Sequence, residues 1–263
     1  MDLNLTNKKA LISGSTAGIG LEIARKLAQE GADVILTGRD RAKLDAAITN
    51  IGAAPDLNVV GVLADVTNAK GAAQVIAQHP EVDILVNNLG IYESRPFAEI
   101  TDDDWLRYFD INVMSGVRLS RHYFPRMLEK KSGRVIFVSS ETGLAVDPAM
   151  IHYAMTKTAQ LSIARGMAGL TRGTAVTVNS VMPGPTRSEG IVDFLKSVAS
   201  KPGATAAEAE AEFFAGARSG SLLQRMIEAE EIANLVAYLA SPVSAATNGA
   251  AIRVEGGLIN SLA

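Results

Sequence analysis

Residues 9–20, which read KALISGSTAGIG, decide the fold of this chain. The stretch begins as an apolar run, stops in glycines, and leads into apolar residues that recur at helical spacing over residues 19–30. Glycines allow a tight turn and let backbone N–H groups approach a phosphate, and a helix N-terminus adds unpaired N–H donors. The spacing of Gly14, Gly18 and Gly20 therefore predicts a dinucleotide-binding turn, with a ligand-free glycine turn as the open alternative.

Outward from this turn, short apolar runs alternate with helical patterns along the chain. We predict strands at residues 9–13, 34–37, 59–63, 84–86, 135–138, 176–181 and 250–254. Helical spacing predicts helices at residues 19–30, 41–50, 102–130, 153–170 and 228–239. The alternation, with strands that are apolar throughout, favours an α/β fold in which a doubly wound parallel sheet carries helices on both faces.

Residues 187–222 differ from the rest of the chain, because they are rich in Ala, Glu, Ser and Gly and poor in strand formers. A linker between two domains would have this composition. Little chain follows the segment, so we instead predict a single domain over residues 1–263. In this interpretation residues 187–222 form a helical excursion over the ligand site, a lid that its glycines would allow to move.

The composition limits the possible functions. The chain has 263 residues, a formal net charge of −3, 48% hydrophobic residues, 20% charged residues and no cysteine. No basic block favours nucleic acid, and the lack of cysteine excludes disulfides, thiol catalysis and cysteine-ligated zinc. No apolar run approaches the ~18–20 residues of a membrane span, and the N-terminus lacks a signal-peptide pattern. We expect a cytoplasmic protein without nucleic-acid or membrane partners.

The end of the second predicted strand bears on the choice of cofactor. A dinucleotide site in a parallel sheet usually has an acidic residue there, which holds the ribose hydroxyls. Here the strand ends in Thr37-Gly38-Arg39. A guanidinium attracts the 2′-phosphate that an acid would repel, so Arg39 predicts a preference for NADP(H). Asp40, the next residue, keeps NAD(H) possible.

A tyrosine and a lysine provide candidate acid–base chemistry. Tyr153 and Lys157 are four residues apart, which places both side chains on one face of a helix. A nearby ammonium favours the phenolate and lowers the phenol pKa, so that the tyrosine can act as general acid and base. Thirteen residues before Tyr153, Ser140 ends a predicted strand at the sheet edge where α/β proteins bind ligands.

Together these motifs resemble those of the short-chain dehydrogenase/reductase family. The similarity runs from Lys8 to Gly257 and includes the glycine turn, Asn87-Asn88-Leu89-Gly90, Asn112, Ser140, the tyrosine–lysine pair, Pro183-Gly184-Pro185-Thr186 and Val254-Glu255-Gly256-Gly257. The resemblance implies a Rossmann-type sheet of about seven strands and an oxidoreductase that interconverts a carbonyl and a secondary alcohol with NADP(H) or NAD(H). It also implies a homodimer or homotetramer joined through residues 102–130 and 153–170.

The resemblance assigns roles to the matched residues. Tyr153 is the implied acid and base, Lys157 lowers its pKa and holds the nicotinamide ribose, and Ser140 hydrogen-bonds the substrate oxygen. Asn112 is implied to shape a helix kink and to anchor a water in the proton relay. The implied cofactor contacts are Gly14, Ser15, Thr16, Gly18, Ile19, Gly20, Arg39, Asp65, Val66, Asn88, Gly90, Tyr153, Lys157, Pro183, Gly184 and Thr186. The three histidines have no ligand-like spacing, so we expect no metal site.

Three positions depart from the family pattern, of which the first is Ser13, which replaces the more usual threonine and keeps a hydroxyl. Leu89 stands where alanine is common and adds bulk beside the cofactor. Glu141 directly follows Ser140; in the pocket it would disfavour anionic substrates, but we expect it to face solvent or to have a structural role. Substrate choice is expected at residues 144–150, at Pro185 and in the lid. Because no catalytic group is replaced, we expect an active enzyme, with a cofactor-binding regulator that lost turnover as the alternative.

Overall fold

The computed structural model describes residues 1–52, 58–188, 191, 195–196, 199–201 and 203–262. The strands within these residues are β1 (Lys9–Ile12), β2 (Asp33–Gly38), β3 (Val59–Leu63), β4 (Ile84–Asn87), β5 (Ser132–Val138), β6 (Ala175–Pro183) and β7 (Ala251–Val254). They form one parallel sheet in the order β3-β2-β1-β4-β5-β6-β7. The order changes direction between β1 and β4, and the carboxyl ends of these strands border the crevice where such sheets bind ligands. The predicted fold is confirmed.

The helices of the described residues are α1 (Gly18–Gln29), α2 (Arg41–Ile51), α3 (Ala69–Gln78), α4 (Asp102–Phe109), α5 (Ser115–Lys130), α6 (Ile151–Ala168), α7 (Ala206–Ala215) and α8 (Ala229–Ala240). One apolar core lies between the sheet and α1, α2 and α8, and a second lies between the sheet and α3, α5 and α6. Ile12 points into the first core and Leu11 into the second. Burial of both faces explains the apolar runs of the central strands, whereas the edge strands β3 and β7 are partly exposed. None of the described helices combines the length and the apolar character that a membrane span requires.

The helix predicted at residues 102–130 is interrupted. A π-helical turn over Asp110–Met114 separates α4 from α5. Such turns are rare, and many of them lie at functional sites. At the centre of this one is Asn112, the residue for which the family resemblance implied a kink. The apolar spacing could not predict the turn, because one extra residue hardly alters a helical pattern over 29 positions.

Part of the predicted lid, residues 189–190, 192–194, 197–198 and 202, lies outside the described residues. The described part contains α7 and a small apolar cluster formed by Leu195, Ala209, Phe214 and Met226. Arg187 forms ion pairs with Glu210 of α7 (2.9 Å) and with Glu228 at the start of α8 (2.8 Å). Within its described part the segment is helical at α7 and turns again after it, and its role as a lid stays a prediction.

Candidate active site

The glycine turn leaves β1 and is clamped to β2 by a hydroxyl group. Ser15 Oγ donates to the carbonyl of Ile12 (2.9 Å) and accepts from the backbone N–H of Thr37 (3.0 Å). Gly14 has a φ of 64°, a left-handed conformation that glycine adopts without strain. α1 then begins at Gly18, and no side chain of the described residues caps its first turn. The first N–H groups of α1 are therefore available to an anion.

Asn88 ties the glycine turn to the end of β4. Its side-chain amide donates to the carbonyls of Ser13 (3.1 Å) and Gly14 (3.0 Å). A β-carbon on Gly20 would collide with the Gly14 carbonyl and with this amide, so position 20 has no room for a side chain. The Ser13 hydroxyl accepts from the N–H groups of Asn88 (3.0 Å) and Leu89 (3.1 Å). The turn and the segment after β4 thus support each other.

Arg39 and Asp40 lie exposed just after β2. The Asp40 carboxylate accepts from the N–H of Lys43 (3.0 Å) as the N-cap of α2. Arg39 forms no hydrogen bond or ion pair with the described residues. The preceding residue, Gly38, contacts the glycine turn, since a β-carbon on it would lie 2.6 Å from Thr16 Cγ2. A free guanidinium therefore lies beside the turn, while the neighbouring carboxylate is engaged in capping.

Other predicted cofactor contacts lie at the same edge of the sheet. Asp65 follows β3, and its carboxylate accepts from the hydroxyl (2.7 Å) and the N–H (3.2 Å) of Thr67. After β6, the hydroxyl of Thr186 donates to the carbonyl of Gly184 (2.8 Å). Three further predicted contacts are wholly or partly buried: Ile19, Val66 and Pro183. The carboxyl ends of the strands thus gather residues that are far apart in the sequence.

The π turn sets Asn112 against the loop that follows β4. Its buried side chain donates to the carbonyl of Ile91 (2.9 Å) and to the hydroxyl of Thr156 (3.0 Å), and it accepts from the Ile91 N–H (2.8 Å). Its own carbonyl accepts from the side chain of Gln160 (2.6 Å). Asn112 therefore links this loop, the π turn and α6, which fixes the position of α6 relative to the sheet edge.

Lys157 is buried on α6, and its ammonium is held by two oxygens. Nζ donates to the carbonyl of Val138 at the end of β5 (3.0 Å) and to the side-chain oxygen of Gln160 (3.3 Å). Gly90 lies close by, since a β-carbon on it would be 3.4 Å from Nζ. Burial lowers the pKa of Lys157 to about 8, and the negative charge of Glu141 opposes this shift. The ammonium is thus a buried cation that keeps its proton at neutral pH.

Tyr153 lies one helical turn before Lys157, whose ammonium is 5.5 Å from the centre of the tyrosine ring. Burial raises the pKa of the Tyr153 phenol, and the negative charge of Glu141 raises it further. Hydrogen bonding with Ser140 acts in the opposite direction. The pKa of Tyr153 therefore lies above its ordinary value in the folded site, and the implied lowering of this pKa by Lys157 stays a prediction.

The end of β5 carries Ser140 into a short 3₁₀ turn. Ser140 Oγ donates to the carboxylate of Glu141 (2.6 Å). It also accepts from the hydroxyl (3.0 Å) and the N–H (3.3 Å) of Thr142. The Glu141 side chain is therefore in direct contact with the predicted catalytic serine.

Glu141 does not face solvent, which corrects one expectation from the sequence. The residue is 6% exposed, and burial raises its pKa. Its turn packs closely on α6: the hydroxyl of Thr158 donates to the carbonyl of Gly143 (2.9 Å), and a β-carbon on Gly143 would lie 3.2 Å from the carbonyl carbon of Lys157. This packing directs Glu141 inward. No local pattern shows which way a residue after a strand will point.

Some residues that the sequence did not single out also belong to the site. Gln160 bonds both the ammonium of Lys157 and the carbonyl of Asn112. Its position three residues after Lys157, on the same face of α6, could have indicated it. Arg218, which follows α7, pairs with Asp147 in the loop after the 3₁₀ turn (2.9 Å). Only the tertiary structure brings Arg218 to this loop, because 71 residues separate the two.

The site as a whole joins an anion-binding turn to a group of proton-carrying side chains. The turn offers backbone N–H groups and a free guanidinium. Next to it, a phenol, a hydroxyl and a buried ammonium lie around the end of β5. Such a set can hold a phosphorylated cofactor and move a proton at a substrate oxygen.

Known proteins share both the sequence pattern and the fold. A family model described as short chain dehydrogenase matches residues 8–196. The chain is 48% identical to the uncharacterized oxidoreductase YvaG of Bacillus subtilis over the full length of both proteins. It is 31% identical to the 3-oxoacyl-[acyl-carrier-protein] reductase FabG of Escherichia coli, over 97% of this chain and 99% of that protein. The structure of L-sorbose reductase from Gluconobacter frateurii, complexed with NADPH and L-sorbose, superposes with a TM-score of 0.91 at 28% identity and covers both chains completely.

Proposed function

This chain belongs to the short-chain dehydrogenase/reductase family, and from that premise we propose that it interconverts a carbonyl and a secondary alcohol by hydride transfer with NADP(H). Family membership makes it an oxidoreductase that acts on CH–OH or carbonyl groups with NAD(P). The proposed interconversion of a carbonyl and a secondary alcohol rests on one observation. Ser140, Tyr153 and Lys157 form a cluster beside the glycine turn. All three proton-carrying groups that the reaction needs are present there.

The described residues fit a dinucleotide. The uncapped start of α1, the left-handed Gly14 and the absence of room for a side chain at Gly20 make a turn that a pyrophosphate can approach. The residues that would hold the rest of the cofactor are Ser15, Thr16, Gly18, Ile19, Asp65, Val66, Asn88, Gly90, Tyr153, Lys157, Pro183, Gly184 and Thr186.

Three observations support NADP(H) over NAD(H). Arg39 is exposed and has no partner among the described residues, so its guanidinium can bind a 2′-phosphate. Asp40, the residue that kept NAD(H) possible, uses its carboxylate to cap α2. The L-sorbose reductase that superposes on this chain is described with NADPH.

The protein itself handles the proton. The nicotinamide supplies or accepts the hydride when it is bound. Tyr153 gives its phenol proton to the substrate oxygen in reduction and takes that proton back in oxidation. Lys157 is charged at neutral pH and stabilises the phenolate that remains after proton transfer. Ser140 donates to the substrate oxygen, and Asn112 holds α6 against the loop after β4.

We propose a small carbonyl compound without a negative charge near the reacting carbon as the substrate. The carboxyl of Glu141 lies 2.6 Å from Ser140 Oγ, and when ionised it would repel an anionic group at that place. Residues 187–222 are proposed as the lid over this pocket within a single domain. The names of the relatives, L-sorbose reductase and 3-oxoacyl-[acyl-carrier-protein] reductase, indicate ketone substrates for those proteins.

The protein is proposed to assemble as a homodimer or homotetramer through residues 102–130 and 153–170. Leu106 of α4 and Leu170, just after α6, are 68% and 67% exposed. Large apolar side chains on adjoining elements favour burial against another subunit. Gel filtration with light scattering should show a dimer or tetramer, and a monomer at working concentration would contradict this part of the proposal.

A panel of ketones and secondary alcohols, assayed with both cofactors, tests the activity. We expect turnover at the absorbance band of the reduced nicotinamide with at least one ketone, and a higher kcat/KM with NADPH than with NADH. L-sorbose and ethyl acetoacetate are suitable first members of the panel, because one is a polyhydroxy ketone and the other a neutral β-keto ester. Preference for NADH would contradict the cofactor assignment, and inertness toward the whole panel would contradict the proposed reaction.

A further inference from the structure

The single O–H of Ser140 is already donated to another residue of this site. A serine hydroxyl has one O–H to donate and two lone pairs to accept with. The O–H is given to Glu141 Oε2 at 2.6 Å, and the lone pairs accept from Thr142 Oγ1 (3.0 Å) and the Thr142 N–H (3.3 Å). A single O–H that is donated to Glu141 is not available to a substrate carbonyl. Glu141 therefore competes with the substrate for the one proton that Ser140 can offer.

We propose that Glu141 is the positioning residue of Ser140, and that its protonation state decides whether the Ser140 hydroxyl points to Glu141 or to the substrate oxygen. The inference rests on the proposed function, because it concerns how Ser140 meets that oxygen. When Glu141 is ionised, it accepts the Ser140 O–H. When Glu141 takes up a proton from water, its own O–H donates to Ser140 Oγ in place of the Thr142 hydroxyl, and the Ser140 O–H turns toward the substrate. The proton returns to water when Glu141 ionises again.

Titratable groups from two other segments couple electrostatically to Glu141. Tyr153 and Lys157 on α6 both couple electrostatically to it. Arg218, which follows α7 and pairs with Asp147, also couples electrostatically to Glu141. Burial raises the pKa of Glu141, whereas the Ser140 hydrogen bond and the Arg218 charge lower it, and burial prevails. The neutral form that frees Ser140 therefore persists at a pH where an exposed glutamate is already ionised.

Infrared titration of the carboxyl C=O stretch tests the coupling without any substrate. The band of protonated Glu141 is identified as the one that Glu141→Gln removes. Ser140→Ala deletes a donor that stabilises the carboxylate, so the midpoint of this band should move to higher pH by about one unit. Asp147→Asn is the matched control, because Asp147 lies in the same loop but is bonded to Arg218. The shift caused by Ser140→Ala should persist in the Asp147→Asn background.

The pH dependence of ketone reduction tests the direction of the effect. With ethyl acetoacetate or L-sorbose and NADPH, kcat of the wild type should fall as Glu141 ionises and captures the Ser140 O–H. Glu141→Gln should lose this fall, since its amide N–H donates to Ser140 at every pH. The same change removes a negative charge near Lys157 and moves any ionisation of Lys157 to lower pH. Repeating Glu141→Gln in a Ser140→Ala background separates the effect on Ser140 from the effect on Lys157. Only the effect that acts through Ser140 disappears there.

Two results would overturn the role of Glu141. One is an infrared midpoint that Ser140→Ala leaves unchanged. The other is an effect of Glu141→Gln on the pH profile that is equally large with and without Ser140, which would make Glu141 only a counter-charge of Lys157. If the wild type reduces neither ketone, that result counts against the proposed function, and the infrared titration still decides the coupling. If Glu141→Gln does not fold, Glu141→Ala identifies the band by its loss, and the spectra of wild type and Ser140→Ala then measure the shift.

Discussion

The two ends of the ligand site are built in different ways. At the cofactor end, the glycine turn of residues 14–20 is shaped by its backbone and held by the neighbouring strand ends. At the catalytic end, Glu141, Lys157 and Arg218 are charged side chains that three separate segments bring together. The first arrangement is encoded within a short stretch of sequence, and the second exists only in the folded chain.

This difference separates binding from proton chemistry. Backbone N–H groups do not titrate, so the glycine turn offers the same donors across the working pH range. The catalytic end contains buried groups whose pKa values are shifted by burial and by one another, which makes it sensitive to pH. Changes at the two ends should therefore alter different measurable quantities.

The largest effect is expected from Tyr153→Phe, which removes only the phenol hydroxyl. Turnover should fall by about 10²–10⁴-fold, the usual contribution of a general acid or base. The dissociation constant of NADPH, measured by fluorescence titration, should change little, because the glycine turn is untouched. Tyr238→Phe is the control, since Tyr238 is a half-exposed tyrosine on α8. Full activity in Tyr153→Phe would show that Tyr153 is not the general acid and base.

Gly20→Ala should damage the cofactor end instead. The new methyl group collides with the Gly14 carbonyl and the Asn88 amide. Overpacking of this kind costs about 1–3 kcal/mol, so NADPH affinity should drop roughly 5- to 150-fold, while kcat at saturating cofactor is largely kept. Gly166→Ala is the matched control, because an exposed β-carbon there meets nothing within 4 Å. Equal NADPH affinity in the two variants would show that the turn tolerates a side chain.

Arg39→Ala should have a smaller and more selective effect. Loss of one exposed guanidinium should raise the KM for NADPH by about tenfold and leave the KM for NADH unchanged. Arg172→Ala serves as the control, since Arg172 is an exposed arginine that precedes β6, at the opposite edge of the sheet. A parallel rise of both KM values would mean that Arg39 supports the turn and does not read the 2′-phosphate.

The smallest effect concerns the pH dependence of Lys157. Its pKa in the folded protein is about 8, against 10.5 for an ordinary lysine. As the pH rises through about 8, loss of the ammonium should reduce kcat/KM to about half of its plateau value. Between these two pKa values the unfolded chain binds more protons, so the contribution of Lys157 to the free energy of unfolding rises with pH.

Activity and stability should therefore change in opposite directions over this interval. Chemical denaturation at several pH values, compared with Lys157→Met, measures the stability part. The wild type could instead lose stability in parallel with activity, and Lys157→Met could show the same loss of stability. The loss of activity would then be caused by unfolding.

Much of the fold could be predicted because its signals are local. The strand at residues 59–63 was predicted with its observed bounds, because its uninterrupted apolar run is a local signal, although Val62 alone in this strand is buried. The π turn at Asn112 could not be predicted, because a single inserted residue leaves the apolar spacing of the flanking helices almost unchanged. α3 was also not predicted as a separate helix, although Asn68 caps it by accepting from the N–H of Gly71 (3.0 Å).

Within the candidate site, the family motifs named Ser140, Tyr153 and Lys157, and the structure brings them together. The prediction that Glu141 faces solvent was wrong. Close packing of its turn on α6 directs the side chain inward. Burial raises the pKa of Tyr153, and the spacing of the tyrosine and the lysine could not predict this direction. The orientation of Glu141 and the pKa of Tyr153 both depend on what surrounds the side chain.

By itself, the sequence determined the parallel sheet and the glycine turn, because apolar periodicity and glycine conformation act over a few neighbouring residues. Only the tertiary structure decided the protonation equilibria of the catalytic end. A pKa depends on desolvation and on charges within a few ångströms, and those neighbours come from β5, α6 and the segment after α7. The sequence names the groups that carry the chemistry, and the fold sets the pH at which each of them carries its proton.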